Sequence, residues 1–139
     1  MLKGIPKQIS PELIKIMMEM GHGDELVISD ANFPAASTAK RLVRADGLGG
    51  VEILKAILEL FPLDTYADPV YLMSKVPGDN VETPIWEEYK AEISKHSDAE
   101  VKFLERYEFY ERAKDSYAVL ITGESALYAN IIIKKGVVK

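Results

Sequence analysis

Leu26, Val27 and Ile28 form an unbroken apolar run, preceded by the polar turn His22, Gly23, Asp24, Glu25 and closed at Asp30. A run this short and continuous fits a strand buried on both faces, because a strand with one wet face alternates apolar and polar residues. Further strands are predicted around Leu42 and Val43, over Val70–Met73 and Val101–Leu104, over the β-branched Tyr117–Thr122, and over Tyr128–Ile133. Helices fall between them. Ser10 and Pro11 start one that ends at Gly21, with Leu13, Ile14, Met17 and Met20 on one face; others are predicted over Gly50–Phe61, from Thr83–Pro84 to near His96, and over Tyr107–Asp115. Ala31 to Pro34 lead into a loop. Strands buried on both faces need cover on both, so the order implies an α/β fold: a single three-layer domain over residues 1–139, with helices on both faces of a mostly parallel sheet.

Charge and composition narrow the function. Seventeen Lys and Arg against 22 Asp and Glu give a net charge of -5, the wrong sign for binding a phosphate backbone, so no nucleic acid partner is expected. No stretch reaches the 18 or so apolar residues of a membrane helix, and the opening residues lack the apolar core of a secretion signal. The chain has no Cys, which excludes thiolate nucleophiles and thiolate metal sites and agrees with a reducing compartment. A cytoplasmic protein without a membrane partner is the expectation.

Motifs for several enzyme classes fail on inspection. Gly47 and Gly49 begin a dinucleotide loop, yet the third glycine would fall at Glu52, whose carboxylate would repel a pyrophosphate. Gly123-Glu124-Ser125 has Leu127 in place of the second glycine of a nucleophile elbow, and no P-loop pattern occurs. The two histidines, His22 and His96, are far apart and outside any His-Glu-x-x-His helix, so no metal site is expected.

Acid–base chemistry remains. His22 lies in a turn between two glycines, where an imidazole can meet a ligand and exchange a proton near neutral pH. Asp30 ends a buried strand, where open α/β sheets place ligand-binding groups. Taken one at a time, plainer readings stand beside these: a surface histidine, a turn cap at Asp30, hairpin packing for Glu124, Tyr128 and Asn130, and a solvated helix face for Arg106 and Arg112.

Five blocks taken together say more. Gly21-His22-Gly23-Asp24-Glu25, Ser29 to Ala35, Arg44-Ala45-Asp46-Gly47, Phe109-Tyr110-Glu111-Arg112-Ala113, and Thr122-Gly123-Glu124 with Tyr128 to Ile131 and Lys135-Gly136-Val137 resemble, in order and spacing, the fucose mutarotase and ribose pyranase family of small sugar-handling proteins. Within the family, the third and fourth of these, the Arg-Ala-Asp-Gly and Phe-Tyr-Glu-Arg-Ala blocks, are similar to its fucose branch. Asn32, where that branch often has His, and Ala129, where it often has Gly, depart from it. The resemblance implies an isomerase acting on L-fucose, with D-ribose pyranase or a non-catalytic sugar-binding accessory as the alternatives. It implies a proton-donor role for His22, sugar binding by Asp30, Arg106, Tyr128, Ala129 and Asn130, no cofactor, and a homo-oligomer, typically a decameric ring.

The residue types suit that reaction. Exchanging anomers requires a proton given to the ring oxygen, one taken from the anomeric hydroxyl, and reclosure on the other carbonyl face. A distance argument adds a constraint. At about 3.3 Å per strand residue, His22 and Asp30 are separated by roughly 15 to 25 Å unless the glycine-flanked turn folds back sharply, and a monosaccharide spans far less than that. The expectation is a site completed between subunits.

Overall fold

The computed structural model describes residues 1–139. Ser10 caps the first helix, α1 (Pro11–Glu19), by accepting the Leu13 N–H at 3.1 Å, and Pro11 takes the first helical position. There follow β1 (Glu25–Ser29), α2 (Ala35–Thr38), β2 (Leu42–Ala45), α3 (Gly50–Leu58), β3 (Val70–Met73), α4 (Pro84–Ser94), β4 (Lys102–Leu104), α5 (Arg106–Asp115), β5 (Ala118–Thr122) and β6 (Ile131–Lys134). No helix is long and apolar enough to cross a membrane.

The sheet order is β2-β5-β1-β6-β3-β4. Five strands share one direction and β6 runs against them, antiparallel to both β1 and β3. β1 lies between β5 and β6, and Leu26, Val27 and Ile28 are wholly buried, as their unbroken apolar run predicts. The pleat divides them. Leu26 and Ile28 join Leu120, Ile131 and Ile133 in a core covered by α1, α3 and α4, whereas Val27 joins Val119 and Ile132 in a smaller core under α2 and α5. Burial of each of these side chains contributes roughly 1.5–3 kcal/mol, and the sheet is covered on both faces.

Two departures from the sequence reading bear on function. The Ala31–Pro34 loop runs into a single helical turn, α2, whose four residues are too few to register a helical period. The last strand starts at Ile131 rather than Tyr128, because Tyr128 takes a φ of 57°. That left-handed conformation cannot continue a strand.

Candidate active site

At the carboxyl end of β1, Asp30 is joined to Asn130 across 100 residues of sequence. The antiparallel register that sets Ile28 opposite Ile131 makes them neighbours. The Asp30 N–H donates to Asn130 Oδ1 at 2.8 Å, and Asn130 Nδ2 returns a bond to Asp30 Oδ2 at 3.1 Å. Asp30 Oδ1 accepts the Asn32 N–H at 2.9 Å. Both side chains are nearly buried. Burial raises the Asp30 pKa above the usual 3.8, and these donors only partly offset it.

Around this pair stand the other residues singled out by sequence. Tyr128 is half-buried; its hydroxyl donates to Asp79 Oδ2 at 2.6 Å and accepts the Val76 N–H at 3.2 Å. The bond to Asp79 raises the Tyr128 pKa and lowers that of Asp79. Ala129 is wholly buried, so any part it has in the site belongs to its backbone. Arg106, in the first turn of α5, sits close enough to Tyr128 for its charge to act there. Its Nη2 donates to Tyr107 at 2.7 Å, while its Nε is buried without a partner.

Two residues considered with these have other work. Glu124 accepts the Gly50 N–H at 3.0 Å and the Ala126 N–H at 3.0 Å. It thus supplies α3 with the anionic cap that Gly49 cannot provide. Arg112 makes a bidentate pair with Glu25 on β1, 2.9 Å at each nearest contact, and stacks over Tyr71.

His22 stands at the opposite end of β1. Its turn is pinned by the Gly23 N–H on the Lys135 carbonyl at 2.8 Å, and Gly23 has a φ of 87°, a conformation open to glycine at no steric cost. The imidazole is 43% exposed, with Nε2 3.0 Å from Oδ1 of Asp64. Asp64 is buried in the loop between α3 and β3, where its carboxylate also takes the Tyr66 N–H at 3.2 Å. Burial alone would raise the Asp64 pKa; the Tyr66 N–H and His22 outweigh it and hold the group below 3.8. The carboxylate therefore stays ionised, fixes the ring through one nitrogen, and leaves Nδ1 for other chemistry.

Sequence reasoning missed Asp64. Its one local signal was an Asx turn, the side chain accepting the N–H two residues on, and that signal says nothing of a histidine 42 positions away. Tyr66, whose ring lies 5.2 Å from that of His22, was missed for the same reason.

His22 and Asp30 do not meet in one chain. The five residues of β1 lie between them, a rise of at least about 16 Å, more than one sugar ring spans. Residues 3–138 match the RbsD / FucU transport protein family. The chain belongs to that family. Among members of known structure, FucU from Bifidobacterium longum is 59% identical, with a TM-score of 0.96 over 99% of this chain and 100% of its own. The fucose mutarotase from Streptococcus pneumoniae, solved in complex with L-fucose, is 51% identical, with a TM-score of 0.94 over the same shares. The L-fucose mutarotase of Actinobacillus pleuropneumoniae is 54% identical over 140 residues, covering 99% of this chain and 97% of the relative. The RbsD / FucU family fold is therefore present from end to end, as the ordered blocks in the sequence implied.

Proposed function

We propose that this protein is an L-fucose mutarotase, an isomerase that interconverts the α and β anomers by opening and reclosing the sugar ring. The observation that carries this reading is the His22–Asp64 pair: an accessible imidazole held through one nitrogen by a buried carboxylate, the arrangement that fixes a ring for proton transfer. Full-length likeness to proteins named fucose mutarotase supports the choice of sugar.

In the proposed reaction, His22 protonates the ring oxygen as the bond to the anomeric carbon breaks. The anomeric hydroxyl gives its proton to solvent water as the carbonyl forms, and rotation about the adjacent carbon–carbon bond presents the other carbonyl face. On reclosure the hydroxyl that attacks the carbonyl returns its proton to His22, and the carbonyl oxygen takes one from water to become the new anomeric hydroxyl. Asp30 and Asn130 hold sugar hydroxyls at the floor of the site, Tyr128 offers an apolar ring face, and the Arg106 guanidinium contributes N–H donors. The balance of protons closes without metal, nucleotide or electron carrier.

We further infer that the working form is a homo-oligomer, a ring in which His22 of one subunit completes the Asp30, Arg106 and Tyr128–Asn130 pocket of its neighbour. The separation of His22 from Asp30 supports this. The proposed compartment is the cytoplasm, which suits a chain without disulfides.

Saturation-transfer NMR on the anomeric signals of L-fucose and D-ribose, with catalytic amounts of protein, tests the reading. Faster exchange of L-fucose is expected, with D-ribose the poorer substrate. Conversion of D-ribose between pyranose and furanose outrunning L-fucose exchange would move the protein to ribose pyranase activity, and binding without exchange would make it a sugar-binding accessory.

A further inference from the structure

Tyr128 is the only residue other than glycine with a positive φ. A bulky side chain enters that region only where its surroundings impose it. The imposing groups lie on α4. Trp86 Nε1–H donates to the Tyr128 carbonyl at 2.8 Å, and the Tyr89 hydroxyl donates to the Ala129 carbonyl at 3.2 Å. Consecutive carbonyls of an extended chain point to opposite sides. Here both are taken by one face of one helix, because residues 86 and 89 are three apart and lie on the same side of it.

The clasp is built from several directions. Gly50 makes room for it, since a Cβ at that position would collide with the Tyr89 hydroxyl. Tyr89 is wholly buried, and burial pushes its phenol pKa far above the usual 10.0, so it remains a donor at any working pH. The Trp86 ring packs on Phe103, with centroids 4.9 Å apart. On the outer side, Asp79 and the Val76 N–H hold the Tyr128 hydroxyl. The next residue in the chain, Asn130, carries the amide that pairs with Asp30.

We propose that Trp86 and Tyr89 are positioning residues of the sugar site, holding Tyr128 in its left-handed conformation so that Asn130 meets Asp30 and the Tyr128 ring faces the sugar. This rests on the mutarotase reading. Both residues act through the loop and neither takes part in proton transfer. Their loss should therefore loosen sugar binding and leave the His22 chemistry intact.

The test is L-fucose exchange by saturation-transfer NMR as a function of sugar concentration and pH, on wild type, Trp86→Phe and Tyr89→Phe. Each variant removes one donor and keeps a ring, and Tyr89→Phe serves as the minimal change should Trp86→Phe fold poorly. Each is expected to raise KM about tenfold, the cost of a buried hydrogen bond, with kcat within about threefold of wild type and an unmoved pH profile. Glycine takes a positive φ without help, so in a Tyr128→Gly background the further change Trp86→Phe should shift KM less than about twofold. The single tryptophan gives its own indole N–H signal, which should be protected from solvent exchange whether or not sugar is present.

Wild-type protein that does not exchange L-fucose would overturn the mutarotase reading and with it the sugar role of the clasp. An active wild type whose KM is unmoved by either substitution would overturn the clasp alone. So would an unprotected indole N–H, or an equal cost of Trp86→Phe with and without Tyr128.

Discussion

His22 Nε2 and Asp64 Oδ1 are 3.0 Å apart although 42 positions separate them in the chain. The imidazole faces solvent and its partner does not, so the pair joins a buried anchor to an accessible ring. His22→Ala should fold and lose about 10²- to 10⁴-fold in exchange rate, the usual contribution of a general acid–base group. Asp64→Asn keeps an oxygen for the Tyr66 N–H but gives up the charge, and a smaller loss of about 10- to 100-fold is expected. Line-shape or saturation-transfer NMR of L-fucose reads both. Full activity in His22→Ala would return that residue to the surface role open to it in the sequence.

The proposed ring with a shared site makes a prediction about mixtures. His22→Ala and Asp30→Ala chains should each be inactive in homogeneous rings. Mixed in equal amounts under subunit exchange, they should recover about a quarter of wild-type activity, since in a random symmetric ring half the donors and half the pockets are intact and they pair independently. Native mass spectrometry verifies the mixing; no recovery from mixed rings would refute the shared site and leave the activity itself in place.

Two buried carboxylates should respond to pH with opposite sign. The Asp64 pKa is lower in the folded chain than the ordinary 3.8, so its contribution to stability is full above that value and is lost as pH falls through the folded pKa. The Asp30 pKa is raised, so ionisation opposes folding; that penalty is absent below 3.8 and grows as pH rises through the folded pKa. Urea unfolding of wild type, Asp64→Asn and Asp30→Asn across acid pH gives the comparison. With rising pH, wild type should gain stability relative to Asp64→Asn and lose it relative to Asp30→Asn. Parallel curves for either variant would contradict the corresponding shift.

Gly136 links the end of the sheet to the histidine. A Cβ there would lie 2.6 Å from the Leu63 carbonyl oxygen and 2.8 Å from the Asp64 Cα, both backbone atoms that cannot swing aside. Gly136→Ala should destabilise the fold by about 1–3 kcal/mol, the ordinary cost of overpacking. It should also displace Asp64 from His22. A fall in exchange rate at saturating L-fucose, measured well below the unfolding transition, is the expected result. A variant that loses stability and keeps its full turnover would show that Asp64 tolerates the shift.

Local order was legible in the amino-acid sequence because short-range physics creates it. The unbroken run at residues 26–28 required a strand covered twice, and with the helical spacings around it implied three layers; Ser10 and Pro11 marked a helix start that the structure retains. Ordered blocks placed His22, Asp30, Arg106 and Tyr128–Asn130 in a sugar-handling family without any fold in view. Pairings were beyond reach, because a side chain's partner across 42 or 100 residues is set by sheet order and register, to which periodicity is blind. Register set Asn130 against Asp30, the close approach of Gly136 to residues 63 and 64 set Asp64 beneath His22, and two donors on α4 met the Tyr128–Ala129 carbonyls where the sequence had continued a strand. The sequence thus determined the layers and the residue types of the candidate site. Tertiary structure decided which carboxylate meets the histidine and at which end of β1 the His22–Asp64 and Asp30–Asn130 pairs each stand, because those relationships exist only once distant segments pack.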